Sequence, residues 1–491
     1  RLKQFDIKVH LYLNGCHPLY YQPEVAEKLV KLSLCAKSPS MFSYDLGWEV
    51  NCGNHGSRKR FDDKWNKWIT ENYGSFEEAF RQWGYTPAVE DGFYTNPSDD
   101  MIKEPDDKYL AYVAAYRSFL DDHISKGYQR VVTGLRKLDP YTLMGARSGY
   151  GGTGTSWIAH MFPFDLKSGV RHLDYTAPEA YNIGGSREGF LRGQLNNIYG
   201  HFVSHGKPVV WPEYGSPLFN GLPRAEYKPH CGDDILEKEG LYYKGMGEFL
   251  AETHVNGGLG WWFPGGYRNG EASDFGIFNP DNTIRPASEA IRDTAAAVKK
   301  GYRNPKPFPD VVLKIDRDKY VQGYAGIFEG MCDEVAKLTM EGKRVDLETD
   351  GTAAVSSSVP LLCPGNIPYK GKGPLKYLKA EFDEINVNGR SLIESGKVTV
   401  KKGKPVVFRV RVANTEEAAW NSPSGYGQVG LRVRYGDRDE FYPIISDTFY
   451  LSTATLHTFT LKGNPGEVTL RMSAQGIGDF GETAVITLDY K

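Results

Sequence analysis

The sequence predicts an α/β protein in which a TIM-type (β/α)8 barrel is followed by a small α/β region and an Ig-like β-sandwich. Residues 1–301 alternate short apolar runs with helical patterns, which is typical of βα units around a parallel sheet. A Pro-rich stretch, YRNPKPFPDVV, then occupies residues 302–312. From residue 381 onward, alternating strands are separated by turn residues. We therefore expect the three parts to span residues 1–301, 310–380 and 381–491.

Six strands are predicted in the barrel, and each ends in residues that are too polar or too aromatic for a plain core. A (β/α) barrel needs eight strands. We expect its first two strands to be absent from this chain and to come from an upstream segment or another chain. The six predicted strands are KVHLYLN (8–14), MFSYDLGWEV (41–50), LMGARSG (143–149), HLDYTAPEAY (172–181), PVVWPEYG (208–215) and GLGWWF (258–263).

Composition excludes several classes of partner. The 59 Lys and Arg residues nearly cancel the 61 Asp and Glu residues, so nucleic acid is not expected as a ligand. No run of about 18 apolar residues predicts a membrane span. The six cysteines form no CxxC pair, and the spacing of Cys52 and His55 lacks a matching second pair, so no metal is expected. We expect no cofactor.

Two glutamates carry the predicted chemistry. Glu213 ends an apolar strand in VVWPEYGSP, and Glu49 ends another in SYDLGWEVNCGNH. Catalytic residues of such barrels lie at the carboxyl ends of strands, and cleavage of a glycosidic bond needs two carboxyl groups. Either glutamate could instead bind loop amides or an ion-pair partner. Asp45 and Glu49 share a predicted strand face, so alternation does not decide which of them faces the barrel mouth.

The order of these strands resembles that of the clan A retaining glycosidases, in which the acid/base ends the fourth strand and the nucleophile ends the seventh. When KVHLYLN is counted as the third strand, Glu49 ends the fourth and Glu213 the seventh. The segment WNKWITENYGSFEEAFRQWGY (65–85) is similar to the stretch after the acid/base in family 42 β-galactosidases. Where the clan has Asn before the acid/base, this sequence has Trp48, and Asn51 follows two positions after Glu49.

The resemblance also implies roles for residues at the other strand ends. Tyr181 stands where the clan often has a Tyr that is hydrogen-bonded to the nucleophile. Glu179, two residues earlier, is the main rival to Glu49 as the acid. Arg147 ends the fifth strand and could either pair with a carboxylate structurally or lower the pKa of the nucleophile. The expected substrate-binding residues are Trp48, Asn51, Arg147, Glu179, Tyr181, Trp261 and Trp262, the last two forming an aromatic floor or packing in the barrel wall.

The predicted function is hydrolysis of β-glycosidic bonds in an oligo- or polysaccharide with retention of configuration. That mechanism requires the two carboxyl groups to be about 5–5.5 Å apart, whereas an inverting hydrolase requires about 6.5–9.5 Å. The alternative is a non-catalytic carbohydrate-binding or assembly protein with a barrel fold. A polysaccharide substrate slightly favours a secreted protein.

The two ancillary parts have less specific predicted roles. Residues 310–380 could support a homo-oligomer, as an α/β domain does in family 42 enzymes. The C-terminal module either binds sugars through Trp420, Tyr426 and Tyr435 or serves only as a packing partner for the barrel.

Overall fold

The structure is a computed structural model of the chain. It describes residues 7–33, 38–104, 106–148, 160–181, 185–204, 206–228, 232–253, 255–299, 308–315, 319–349, 378–416, 420, 422–425, 427–446 and 454–491.

In the described part of the first half of the chain, six parallel strands form the sheet. Strands β3 and β4 form a small antiparallel hairpin outside this sheet. The others lie in the orders β1-β2-β5 and β6-β7-β8, and a parallel bridge between Arg147 and Ala177 joins the two groups. The first eight strands are β1 Val9–Tyr12, β2 Met41–Asp45, β3 Val89–Glu90, β4 Phe93–Tyr94, β5 Leu143–Gly145, β6 Glu179–Ala180, β7 Val210–Tyr214 and β8 Gly257–Gly260.

All six predicted strands are therefore present, in chain order, but each is shorter than predicted. The strand predicted over residues 41–50 ends at Asp45, and the chain bends at Trp48 and Glu49. A Cβ atom at Gly47 would lie 2.3 Å from Val50 Cγ2, so the packing of Val50 leaves little room for a side chain at Gly47. The prediction that strand alternation relates Asp45 to Glu49 is consequently wrong.

Helices connect and cover these strands. They are α1 Pro23–Ser33, α2 His55–Arg58, α3 Asp62–Tyr73, α4 Phe76–Trp83, α5 Asp99–Lys103, α6 Leu110–Leu138, α7 Lys167–Val170, α8 Arg187–Arg192, α9 Gln194–Ser204, α10 Asp233–Glu252 and α11 Pro286–Lys299.

The segment at residues 65–85 builds the core beside β1 and β2. Ser75 caps α4 by accepting a hydrogen bond from the Glu78 N–H, and Gly84 ends the helix in the left-handed conformation. Trp65 is fully buried, with ring centroids 5.4 Å from Trp68 and 5.7 Å from Trp83. The aromatic residues of this motif therefore stabilise the packing of α3, α4 and α6.

Residues 308–349 form a βαβ unit that packs on the first half of the chain. Strands β9 Val311–Ile315 and β10 Val345–Thr349 pair in parallel, and helix α12 Tyr324–Met340 lies between them in sequence. Apolar residues of α12 share one core with α9, including contacts around Tyr199. The Tyr199 and Tyr324 rings are 4.9 Å apart.

The C-terminal part is a two-layer β-structure. Its sheets have the orders β12-β11-β14-β17 and β13-β19-β18-β15-β16 and enclose one apolar core. The strands are β11 Ala380–Val387, β12 Arg390–Leu392, β13 Gly396–Val400, β14 Val407–Asn414, β15 Val429–Tyr435, β16 Arg438–Pro443, β17 Ala454–Thr460, β18 Glu467–Ala474 and β19 Gly478–Tyr490.

Two of the aromatic residues proposed to stack on sugars are not available for that role. Trp420 is fully buried and Tyr435 is 4% exposed, since both belong to the core between the sheets. Tyr426 lies outside the described residues. No helix in the described ranges combines the length and the apolar character of a membrane-spanning segment.

A buried carboxyl group lies under the loop that follows β8. Arg285 is almost fully buried and its Nη2 lies 2.9 Å from Asp274 Oδ2. Glu239, on α10, is 2% exposed, and its Oε1 is 3.9 Å from Arg285 Nη1. Burial raises the pKa of Glu239 to about 8, although Arg285 opposes the shift. Glu239 is therefore protonated in the folded protein at neutral pH.

We predict that Glu239→Gln reduces the pH dependence of stability. The folded state holds this proton up to about pH 8, whereas an unfolded Glu releases it near its ordinary value of 4.5. Stability therefore falls as pH rises between these values, by on the order of a few kcal/mol in total. Melting temperatures at about pH 5 and about pH 8 should differ less in the variant than in the parent.

The control is Glu237→Gln on the exposed side of the same helix, which should leave the difference between the two melting temperatures unchanged. An equal pH dependence in the parent and in Glu239→Gln would contradict the assignment.

Candidate active site

Four carboxyl groups gather at the carboxyl edge of the parallel sheet. Asp45 ends β2, Glu179 begins β6, Glu213 lies in β7, and Glu49 lies in the loop after β2. Glu179 and Glu213 are register partners on neighbouring parallel strands. Asp45, Glu179 and Glu213 are each at most 3% exposed. Parallel strands that end at one edge thus bring together side chains that are far apart in sequence.

Arg147, directly after β5, holds three of these groups. Its Nε lies 2.7 Å from Asp45 Oδ2 and 3.9 Å from Glu179 Oε1, and its Nη1 donates a hydrogen bond to Glu213 Oε2. In the described ranges, the Arg or Lys ion pairs of these three carboxylates all go to Arg147. Burial raises the pKa of Asp45 to about 6, even though Arg147 lowers it.

Glu213 is held by both of its carboxylate oxygens. Arg147 binds Oε2, and the Tyr181 hydroxyl donates to Oε1 at 2.6 Å. Burial and the nearby Glu213 carboxylate keep the pKa of Tyr181 far above its usual range, so the phenol remains a donor. The backbone at Gly215, two residues after Glu213, lies close to the backbone of Trp261. A Cβ atom at Gly215 would lie 2.2 Å from the Trp261 carbonyl oxygen. The predicted position of Tyr181 beside Glu213 agrees with this geometry.

Glu49 lies on a short irregular turn. Its φ angle is 46°, in the left-handed region that non-glycine residues rarely adopt. The Trp48 indole N–H donates to Glu49 Oε1 at 3.2 Å, and the Asn51 side-chain amide donates to the Glu49 carbonyl oxygen at 3.0 Å. Asn51 therefore stabilises the turn that presents Glu49, whereas Trp48 binds the carboxyl group itself.

Glu179 completes a group of three glutamates. One carboxylate oxygen from each of Glu49, Glu179 and Glu213 lies within 4.8 Å of the others. Burial raises the pKa of Glu179 well above its usual range, and Glu213 and Glu49 add to this shift while Arg147 opposes it. Within the described part of the chain, these three residues are the group whose oxygens are spaced to hold a cation.

Aromatic residues surround the mouth of the site. Trp48 is 39% exposed, its ring centroid is 5.7 Å from that of Trp261, and the Arg147 guanidinium lies 3.9 Å above its ring. Trp261 and Trp262 follow the end of β8 and are half-buried, and Arg268 lies 4.7 and 4.6 Å from their ring centroids. These three tryptophans therefore form one partly exposed aromatic surface.

Two residues of β1 that contact the candidate site, His10 and Tyr12, were not identified from the sequence. The His10 Nε2 atom is 3.9 Å from Asp45 Oδ2, and burial lowers the pKa of His10 to about 4, with Arg147 adding to the shift. Tyr12 packs edge-on against Trp48 with ring centroids 5.5 Å apart. The signal in the sequence that could have identified them is the presence of a polar and an aromatic residue in the strand VHLY, which has few apolar core residues.

This fold also occurs in known structures, although no protein-family model and no curated protein sequence matches the chain. The β-galactosidase from Rahnella sp. R3 is 12% identical with a TM-score of 0.50, and the match covers 95% of this chain and 68% of that one. This chain is similar in fold to that β-galactosidase. The likeness confirms, for the fold, the resemblance to clan A glycosidases that the sequence indicated.

Further matches have lower TM-scores. The β-galactosidase from the Antarctic haloarchaeon Halorubrum lacusprofundi is 13% identical, with 95% of this chain and 71% of that chain covered and a TM-score of 0.47. Gan42B, a GH42 β-galactosidase from G. stearothermophilus, is 11% identical, with coverages of 95% and 67% and a TM-score of 0.47.

We predict that Arg147→Met strongly destabilises this β-galactosidase-like fold. The substitution leaves Asp45 and Glu213 buried without their common counter-charge, which costs about 3–5 kcal/mol when one partner of a buried ion pair is removed. Chemical denaturation should measure the loss. The double variant Arg147→Met/Asp45→Asn should recover part of it, and equal stability of the parent and Arg147→Met would contradict the role given to this ion pair.

Proposed function

We propose that this protein is a retaining glycoside hydrolase that cleaves β-glycosidic bonds of an oligo- or polysaccharide, with Glu213 as the nucleophile and Glu49 as the acid/base. The observation that carries the proposal is the separation of at most 4.8 Å between carboxylate oxygens of Glu49 and Glu213 at the carboxyl edge of the sheet. Such a short separation favours double displacement, since an inverting enzyme needs about 6.5–9.5 Å for a water molecule.

In the first step, a Glu213 oxygen forms a bond to the anomeric carbon while the bond to the leaving oxygen breaks. Glu49 transfers its proton to that oxygen. In the second step, water attacks the anomeric carbon, Glu49 takes the proton of the water, and Glu213 departs as a carboxylate. Arg147 and Tyr181 each bind one Glu213 oxygen, so they stabilise its negative charge and fix its orientation.

The aromatic residues next to these carboxyl groups are suited to bind a sugar ring. Trp48, Trp261 and Trp262 present a partly exposed aromatic surface beside the glutamates, and such surfaces pack against the apolar faces of sugar rings. The likeness of fold to the Rahnella enzyme makes β-galactosides the first substrates to test. A non-catalytic carbohydrate-binding protein would use the same aromatic surface and is the alternative.

We further propose that the six parallel strands are strands three to eight of an eight-stranded barrel, and that the C-terminal module is an Ig-like sandwich. Among the described residues, β1 pairs only with β2, and β8 pairs only with β7. Both outer strands therefore have an edge at which further strands would pair in a closed barrel. The expected homo-oligomer and the three domain boundaries stay predictions.

We predict that Glu213→Gly abolishes hydrolysis of aryl β-glycosides and that azide restores turnover. Azide attacks the anomeric carbon in place of the missing nucleophile, so the product should be a glycosyl azide of inverted configuration. The matched variant is Glu49→Gly, assayed with an activated leaving group. Azide should rescue it through the intact glycosyl-enzyme and give a retained product.

Full activity of Glu213→Gly would contradict the assignment of Glu213 as the nucleophile. If the parent binds β-linked oligosaccharides but cleaves no member of a broad panel of glycosides, the non-catalytic alternative is favoured.

We predict that Trp48→Phe lowers kcat/KM for aryl β-glycosides by on the order of tenfold, because a hydrogen bond to a charged group contributes about 1.5–3 kcal/mol. Phe keeps an aromatic ring at this position but removes the N–H that binds and orients Glu49. The control is Trp68→Phe, whose indole instead donates to Asp122 between helices α3 and α6. Activity of Trp48→Phe equal to that of the parent would contradict this role of Trp48.

A further inference from the structure

We propose that Glu179 is a substrate-binding residue that acts as a neutral carboxylic acid and hydrogen-bonds the hydroxyl group on the sugar carbon next to the anomeric carbon. This inference rests on the proposed function and adds to it a residue that neither attacks the substrate nor transfers the catalytic proton.

The first argument is that Glu179 is buried without a hydrogen bond. The residue is 1% exposed, and among the described residues neither carboxylate oxygen has a hydrogen-bond partner. In the same part of the chain its ion-pair partner is Arg147, whose Nε lies 3.9 Å from Oε1, beyond hydrogen-bonding distance. A buried polar group without a partner costs free energy, on the order of 1–3 kcal/mol. Such a group at a cluster of reactive side chains indicates a partner that arrives with the ligand.

The second argument is position. Glu179 is the register partner of Glu213, and oxygens of Glu179, Glu49 and Glu213 lie within 4.8 Å of one another. A sugar carbon attacked by Glu213 lies about 3–3.5 Å from the attacking oxygen. The groups next to that carbon are the ring oxygen and the neighbouring hydroxyl. Since the ring oxygen becomes positively charged in the transition state, the hydroxyl is the better partner for Glu179.

The third argument concerns charge. Glu213 on β7, Glu49 after β2 and Asp45 on β2 all place negative charge near Glu179, while Arg147 after β5 supplies positive charge. Tyr181, on the chain just after β6, is a protonated phenol. His10 on β1 has a lowered pKa and so is neutral near pH 7. Like charges at this distance cannot all persist, and Glu179 holds a proton because Asp45 and Glu213 accept hydrogen bonds from Arg147 whereas Glu179 accepts none.

A neutral carboxyl group suits a hydroxyl partner because it offers one donor and one acceptor. Its O–H can donate to the hydroxyl oxygen, or its carbonyl oxygen can accept the hydroxyl hydrogen. The second arrangement strengthens as positive charge develops on the sugar and makes that hydroxyl more acidic. Contacts of this kind stabilise the transition state of glycosyl transfer more than the ground state.

The test combines variants of Glu179 with removal of one substrate hydroxyl. The probes are 4-nitrophenyl β-D-galactoside, or the aryl glycoside that the parent cleaves fastest, and its 2-deoxy analogue. In the parent, we expect kcat/KM to fall on the order of 10²-fold on loss of the hydroxyl. Glu179→Ala should be slow on the full substrate and should lose less than about threefold more on the deoxy analogue, since the contact is already absent.

Glu179→Gln provides the matched control, since the amide keeps a donor and an acceptor in the same place. We expect it to retain kcat/KM within about tenfold and to keep most of the discrimination against the deoxy analogue. Its pH profile should coincide with that of the parent, because one neutral group replaces another. Difference infrared spectra of the parent and Glu179→Gln near pH 7 should show the carbonyl band of a protonated carboxyl group. This spectrum requires no activity.

Three results would overturn the proposal while leaving the glycosidase assignment intact. The first is an equal 2-deoxy penalty in the parent and Glu179→Ala. The second is a shift of the alkaline limb in Glu179→Gln or the absence of the infrared band, either of which would show that Glu179 is ionised. The third is azide rescue of Glu179→Gly with a retained product, which would make Glu179 the acid/base. Failure of the glycosidase assignment itself would appear separately, as a parent inactive on every glycoside.

Discussion

The Arg147 guanidinium is the interaction on which the candidate site depends. It neutralises part of a cluster in which three carboxyl groups, on strands β2, β6 and β7, are buried together. One cation cannot balance all of this negative charge, so the remaining balance comes from protons and from hydrogen-bond donors such as Tyr181. Because positive charge is scarce, chemically identical glutamates differ in their hydrogen bonds and in their pKa values. Glu213 is bound at both oxygens, whereas Glu179 has a raised pKa and no hydrogen-bond partner among the residues that the structure describes.

The Arg147 guanidinium also connects the buried carboxyl groups of the site to the aromatic residues at its mouth. Arg147 lies over the Trp48 ring, Trp48 packs against Trp261, and Trp48 also donates to Glu49. The position of Glu49 therefore depends on a turn with an unusual backbone angle and on contacts from other strands. A substitution at Arg147 is consequently expected to disturb the nucleophile and the acid/base together. The site is one electrostatic unit, and its members do not act independently.

Buried polar contacts also hold the C-terminal module against this scaffold. Arg171, next to α7, forms ion pairs with Glu381 and Asp383 on β11, and the Gln129 amide on α6 donates to the Phe382 carbonyl oxygen at 2.6 Å. Arg171, with His172 and Lys126, lowers the pKa of Glu381 despite its burial. Helix α6 is followed in the chain by β5 and Arg147. The C-terminal module therefore packs on a helix that helps to position Arg147. This arrangement agrees with a supporting role for the module.

The amino-acid sequence by itself determined the six parallel strands and the carboxylates at their ends, because a buried strand is a short local pattern and a terminal Glu interrupts it visibly. It also indicated Tyr181 and Arg147, which follow strand ends. The tertiary structure decided what local patterns do not contain. Strand β2 stops before Glu49 because the chain bends at Trp48 and Glu49, and Trp420 is buried because two sheets close over it. The separation of Glu49 from Glu213 and the isolation of Glu179 depend on the spacing of strands that are distant in sequence, and no pattern within one strand records that spacing.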